Sequence, residues 1–324
     1  GNDATATSRK VWCWGDNDTG QAGDNITNGT KKTPYEGTIN ADEYAVRYEL
    51  DNSATDSTAH STVLDNATQI NHVNSSAGCA LTTTYLVWCW GTNASGNLGI
   101  NVTNNTGVNN RWRARAAGAT NANPDTTSYR FTKVVTNFGR VCAIGKNNAG
   151  VSFDGKVYCW GANGDDSNGI IDYRTSSTTG LAYQWPDVKD MVTTGTQSTS
   201  VFTDIALADW ATCVLRSDGN VYCWGYNDVG QLGSGTITAT PVPSSGVTPG
   251  TKPIAPTAMV QATGPLAGKI VTKLTSGNNH FCAMTTTGAS YCWGRNDLGQ
   301  LGDGTTVNKA TPTRTKVPII VTTY

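Results

Sequence analysis

The sequence predicts an all-β fold assembled from repeated units, and three observations predict it. The tripeptide Cys-Trp-Gly occurs five times, starting at Cys13, Cys89, Cys159, Cys223 and Cys292, at intervals of 76, 70, 64 and 69 residues. In the best copies it ends a β-branched, aromatic run such as Val221-Tyr222-Cys223-Trp224, which favours a strand, and turn residues such as Ser217-Asp218-Gly219-Asn220 come before it. No stretch carries a sustained helical apolar period, so no substantial helix is expected. A unit repeated at near-constant spacing sets the architecture of the whole chain.

The clearest copy runs from Val214 to Thr236 and recurs almost intact from Ala283 to Thr305, with weaker copies from Ala4, Ala80 and Asp154. Within it the turn at Ser217–Asn220 reverses the chain, so two strands form a hairpin. Gly225 follows Trp224, and Gly15, Gly91, Gly161 and Gly294 hold the same place. A glycine fixed beside a large ring predicts positive φ or a close backbone approach. Asn227, Gly230 and Gly233 mark a second turn, and Leu232 is expected to plug a seam between units.

Cysteine spacing supports the hairpin. Cys79 and Cys89, Cys213 and Cys223, and Cys282 and Cys292 are each ten residues apart, and Cys142 and Cys159 repeat the arrangement with a longer loop. Facing cysteines on two strands of a hairpin lie about 5.5 Å apart at Cα, within disulfide reach. Zinc is the alternative, but this spacing without a nearby His or second close Cys is unlike a structural zinc site. Cys13 aligns against Asp3 where the other units have a cysteine, so it is expected to be unpaired, as a buried thiol.

The pattern Gly-x-Val-Tyr-Cys-Trp-Gly-x-Asn-x-x-Gly-Gln-Leu-Gly resembles the repeat of the regulator of chromosome condensation family, in the disulfide-bearing form of secreted bacterial proteins. The match is sharpest over Cys213–Gly235 and Cys282–Gly304. It is degraded in the third unit, where Asp166, Ser167 and Asn168 stand in place of Gly, Gln and Leu. The resemblance implies a β-propeller of four-stranded antiparallel blades. With five units, the expectation is one five-bladed propeller spanning residues 1–324; seven blades would require two units hidden in the insertions.

The insertions fall near residues 24–62, 104–128, 171–200 and 236–268, and the last, rich in proline, is expected to be an extended loop. Each is expected to lead into an outer strand, Thr203–Leu215 or Lys269–Gly277 for example. Val317–Tyr324 reads as the strand missing from the first unit, so both termini are expected to build one blade and close their own ring. No signal-peptide pattern stands at Gly1, the expectation for a processed chain.

Composition narrows the function. Lys and Arg total 23 against 24 for Asp and Glu, which gives no basic surface for nucleic acid and argues against a chromatin role. No apolar run is long enough to span a membrane. Eight of nine cysteines in matched pairs imply an oxidising, extracellular compartment. His60, His72 and His280 show no catalytic or metal-binding spacing, and Asp154, Asn163, Asp165 and Asp166 read as a solvated turn rather than a calcium loop. No cofactor and no enzymatic activity are therefore expected.

Two features point to contacts. Arg111, Trp112, Arg113 and Arg115 form the sharpest basic patch, a candidate interface with an acidic partner or a sugar. Glycosylation sequons begin at Asn17, Asn25, Asn28, Asn66, Asn74, Asn93, Asn101 and Asn104, all in the first third of the chain. The five repeat tryptophans are expected to pack in seams rather than to present a sugar platform. The functional expectation is a non-enzymatic extracellular structural protein, self-associating into a surface fibre or coat. The alternative is a secreted binding module, an inhibitor or adhesin, that takes glycans or another surface protein on one face.

Overall fold

The computed structural model describes residues 11, 13, 47–48, 62–64, 66–74, 77–91, 98, 111–116, 130–137, 139–145, 155, 157–161, 183–189, 201–209, 211–237, 257–258 and 264–316. They form four sheets. The first contains β1 (Arg47–Tyr48), β2 (Thr62–Val63), β3 (Ala67–Asn74), β4 (Ala77–Thr82), β5 (Val87–Gly91) and β6 (Arg111–Ala116), in the order β2-β1-β6-β5-β4-β3. The second is β7 (Phe131–Asn137), β8 (Arg140–Gly145), β9 (Val157–Gly161) and β10 (Tyr183–Lys189). The third is β11 (Phe202–Leu207), β12 (Ala211–Arg216), β13 (Val221–Gly225) and β14 (Thr257–Ala258). The fourth is β15 (Val271–Ser276), β16 (His280–Thr285), β17 (Ser290–Gly294) and β18 (Lys309–Arg314). In each, the last four strands pair antiparallel in chain order; only β1 pairs parallel, with β6.

The chain divides into two compact units: residues 1–165 with 177–190, and residues 166–176 with 191–324. The first holds the first two sheets and the second holds the last two.

The hairpins form where turn and strand chemistry coincide. Between β12 and β13, Asp218 Oδ1 accepts the Asn220 N–H at 3.0 Å and Gly219 N–H donates to the Arg216 carbonyl at 2.9 Å. The paired strands β4 and β5 are buried along their whole length, which is why their sequences run continuously apolar instead of alternating. Gly91, Gly161, Gly225 and Gly294 all have positive φ, between 95° and 106°. A Cβ on Gly161 would lie 2.3 Å from the Gly139 carbonyl oxygen, and on Gly294 2.5 Å from that of Asn279, so both reasons for glycine hold.

Two expectations are corrected. Thr203–Leu215 is not one strand: β11 ends at Leu207, and the Ala208 N–H donates to the Ala211 carbonyl at 2.9 Å to close the turn into β12. Second, the insertions near 104–128, 171–200 and 236–268 are not only loops. They supply β6, β10 and β14, each paired to the free edge of a Cys-Trp-Gly strand, which would otherwise leave a row of unpaired N–H and C=O groups. The leading strands β3, β7, β11 and β15 are the end strands of their sheets, and β3 adjoins β7 and β11 adjoins β15 within each unit.

Within each unit, apolar seams join the sheets. Leu215, Val221 and Leu232 of the third sheet form one cluster with Val271, Leu274, Phe281 and Trp293 of the fourth. In the first unit Leu98, at the repeat position of Leu232, packs with Phe131, Tyr158 and Trp160. Trp90 clusters with Val11 and Leu64, and Cys13 lies half-buried against that cluster. The segments 1–10 and 317–324, on which the expected closure rests, lie outside the described residues.

Candidate interaction surface

The hairpin centres are covalently fixed. Disulfides join Cys79–Cys89, Cys142–Cys159, Cys213–Cys223 and Cys282–Cys292, with Cα–Cα distances of 4.1 to 4.2 Å. Each pair is directly opposite in register. The distance is shorter than the expected 5.5 Å because closely spaced pairs in an antiparallel ladder sit nearer ~4.5 Å. Trp90, Trp160, Trp224 and Trp293 are buried one residue further on.

Beyond the Cys-Trp-Gly strands β13 and β17 the chain folds into a loop held by its own amides. Asn227 Oδ1 accepts the Leu232 N–H at 3.0 Å, and its Nδ2 donates to the Thr236 carbonyl at 2.8 Å. Gln231 Oε1 accepts the Val229 N–H, and its Nε2 donates to Asp228. Asn296 and Gln300 make the same bonds to Leu301, Thr305, Leu298 and Asp297. These polar groups serve the loop's shape. Leu232 and Leu301 are buried beneath it, while Leu298, Val307 and Ile237 are exposed at 86%, 62% and 50%.

Charges at both ends of these hairpins are paired locally. Arg216 bonds Asp218 and lies 4.9 Å over the Tyr222 ring. The Arg216 guanidinium, with help from Asn220, holds the Asp218 carboxyl down at about 2. Arg295 pairs with Asp297 in the loop that follows β17, at the positions held by Tyr226 and Asp228 one unit earlier. Burial pushes the Asp303 carboxyl up, but hydrogen bonds from Thr305, Lys309 and Asn296 outweigh it and hold it at about 2. His280 is half-buried, and burial lowers its pKa. Among the described residues no group of three or more His, Cys, Asp or Glu could hold a metal ion.

The basic patch Arg111, Trp112, Arg113 and Arg115 lies on β6, whose Arg115 is opposite Cys89 and whose Arg111 is opposite Gly91. The patch is therefore part of a strand that lies between β5 and β1 in the first sheet. Among the sequons, Asn66 has φ of 57° and its carbonyl accepts the Thr83 N–H at 2.9 Å, and Asn74 ends β3. Asn17, Asn25, Asn28, Asn93, Asn101 and Asn104 lie outside the described residues, as do Asp154, Asn163, Asp165 and Asp166.

The structure also shows a repeat that the sequence reading passed over. Each leading strand carries a threonine at a register shift: Thr68, Thr132, Thr203 and Thr272. Their hydroxyls donate to the carbonyls of Leu81, Ile144, Leu215 and Met284. The residue after the threonine reaches the neighbouring sheet in two cases. Gln69 Nε2 donates to the Val134 carbonyl at 2.7 Å, and its Oε1 accepts the Val134 N–H at 3.3 Å. Asp204, buried, accepts the Leu274 N–H at 2.8 Å. Side chains thus satisfy edge groups that no strand reaches. The signal was present as Ala-Thr-Gln-Ile, Phe-Thr-Lys-Val, Phe-Thr-Asp-Ile and Val-Thr-Lys-Leu, but each was hidden behind an insertion of different length. Arg140, fully buried at the start of β8, was likewise passed over.

Family models of the regulator of chromosome condensation (RCC1) repeat match residues 202–231 and 271–300, and residues 218–284 and 287–321. The matches fall on the hairpins and loops of the third and fourth sheets. These two sheets carry RCC1-like repeats. The chain is 33% identical to the human E3 ubiquitin-protein ligase HERC2 over 99 residues, which cover 30% of this chain and 2% of the ligase. The solved structure of human WBSCR16 matches with a TM-score of 0.60 at 18% identity, over 94% of this chain and 63% of that one. Yeast RCC1 (Prp20), solved bound to Kap60, matches with a TM-score of 0.57 at 17% identity, over 97% of this chain and 59% of that one. At such identities the likeness shows the fold, an RCC1-like β-propeller. The RCC1-like chain spans less than two thirds of the length of each of these relatives.

Proposed function

We propose that this RCC1-like propeller is a non-enzymatic extracellular structural subunit that associates with copies of itself in a surface fibre or coat. The four disulfides carry the reading: they sit at one register position in every described hairpin and suit an oxidising compartment, where such bonds persist. The polar side chains of the repeat loops are committed to holding backbone, which supports a scaffold rather than a reaction centre. Exposed Leu298 and Val307 supply apolar contact area on that side. Glycosylation of the early sequons and contact through the β6 arginines belong to the same proposal. No helix among the described residues is long and apolar enough to cross a membrane.

Electron microscopy of the native material, with light scattering of the purified chain, tests this reading. Polymers or concentration-dependent oligomers are expected. A protein that stays monomeric over the whole accessible concentration range would refute self-association. It would favour the second reading, a secreted binding module, which the partner-bound state of yeast RCC1 supports by analogy.

A further inference from the structure

The four disulfide hairpins share one register but not one environment. In the third sheet the disulfide face is built from Ala211, Cys213, Leu215, Val221 and Cys223, all buried, and it forms one apolar cluster with Val271, Leu274, Phe281 and Trp293 of the fourth. In the first sheet Ala77, Cys79, Leu81, Val87 and Cys89 pack in the same way on Val134, Val141 and Ala143 of the second. Cys142, Ile144, Val157 and Cys159 of the second sheet are buried as well.

The fourth sheet departs from this pattern in sequence and in exposure. Ser290 stands where the other three sheets have Val87, Val157 and Val221, and Met284 where they have Leu81, Ile144 and Leu215. Met284 is 41% exposed, and His280 and Ser290 are partly exposed. The residue opposite Cys282 on the leading strand is exposed Thr275, whereas buried Ala206 lies opposite Cys213 in the third sheet. Of the eight disulfide cysteines, Cys282 is the one that is partly exposed; Cys292 is 3% exposed and the other six 0%. The opposite face of the same sheet is firmly held. Phe281, Ala283, Tyr291 and Trp293 belong to the seam cluster, and the Trp293 indole N–H donates to the Gln231 carbonyl at 2.9 Å. From the loop 227–236, the Gly235 N–H donates to the Ala310 carbonyl of β18 at 2.8 Å.

We propose that Cys282–Cys292 is a thiol-exchange site, the disulfide at which a low-molecular-weight thiol modifies this chain while it stays folded. The external thiolate attacks the Cys282 sulfur. A new S–S bond forms between the two, the Cys282–Cys292 bond breaks, and Cys292 leaves as a thiolate that takes a proton from water. A second external thiolate then attacks the external sulfur of the mixed disulfide and releases Cys282. The hairpin gains two electrons, and two external thiols are oxidised to their own disulfide. Access sets the order of reaction, because the attacking sulfur must reach a disulfide sulfur and six of the cysteines are wholly covered. The reaction unties β16 from β17 on the disulfide face and leaves the seam face in place. Exposed disulfides are the labile ones in general, and here one of four repeated bonds is made so by its neighbours.

Timed exchange on the folded, full chain tests this, with excess reduced glutathione as the probe, N-ethylmaleimide as the quench and peptide mass spectrometry as the readout. Circular dichroism establishes that the chain remains folded. Glutathione on Cys282 together with N-ethylmaleimide on Cys292 is expected first, at a rate about tenfold or more above that of any other pair. Label on Cys13, which is in no disulfide, is not scored. In guanidinium chloride the four pairs should react at similar rates, since burial is what protects the other three. Four pairs opening together in the folded chain, or another pair opening first, would overturn the proposal. An advantage for Cys282 that persists undiminished in denaturant would also overturn it, because the local sequence and not the fold would then be its cause. A glutathione adduct on Cys292 in place of Cys282 would refute the assignment of the attacked sulfur.

Discussion

Gly230 and Gly299 occupy the same position of the repeat, and replacing each by alanine separates the cost of backbone strain from the cost of lost docking. Both have positive φ, 86° and 75°, so alanine incurs a similar strain of about 1–2 kcal/mol at either site. At Gly230 the new methyl would also lie 2.7, 2.8 and 2.9 Å from Ala310 Cα, the Lys309 carbonyl oxygen and the Ala310 nitrogen. These are backbone atoms of a paired strand and cannot rotate aside. Overpacking of this kind adds about 1–3 kcal/mol, so Gly230→Ala should cost about 2–5 kcal/mol in all. At Gly299 the nearest atom is 3.9 Å away and only the strain remains. Urea unfolding followed by tryptophan fluorescence reads the difference, because the buried indole of Trp293 sits on this seam. The comparison is made at equal slopes and at concentrations where the chain is monomeric. Equal midpoint shifts for the two variants would refute the reasoning, since the close approach of the earlier loop to β18 would then contribute nothing.

Three further outcomes are expected. Trp293→Ala should destabilise by about 3–5 kcal/mol through the cavity it leaves. Trp293→Phe, which keeps most of the ring, should cost about 1–3 kcal/mol by orphaning the Gln231 carbonyl; thermal melts of both check this. Removing Cys213 and Cys223 together should cost about 2–3 kcal/mol, and non-reducing peptide mapping of the wild type should recover only the four within-hairpin pairs. Asp303 has its folded pKa depressed to about 2, so its ionised form stabilises the fold fully above the ordinary carboxylate range. That contribution is lost as pH falls from about 4 toward 2, and Asp303→Asn should flatten the stability profile in that window.

The sequence determined the unit and its internal covalent logic. Cysteine spacing, the turn at Ser217–Asn220 and the glycine after each tryptophan are local features. A hairpin is set by neighbours a few residues apart, so its chemistry is legible in one dimension. Leu232 could be assigned to a seam for the same reason: it is the apolar residue in a polar turn. What the sequence could not decide was which strand meets which across the insertions. The threonine-marked leading strands stand at irregular distances from their hairpins, and their neighbours in space are some 65 to 70 residues away, as for Gln69 with Val134 and Asp204 with Leu274. Those pairings depend on edge groups that must be satisfied and on packing between sheets, and neither leaves a periodic mark. The difference between Gly230 and Gly299 belongs to the same class. Both lie in the same short motif, and only the strand that packs against one of them, brought there by the fold, makes the two positions unlike.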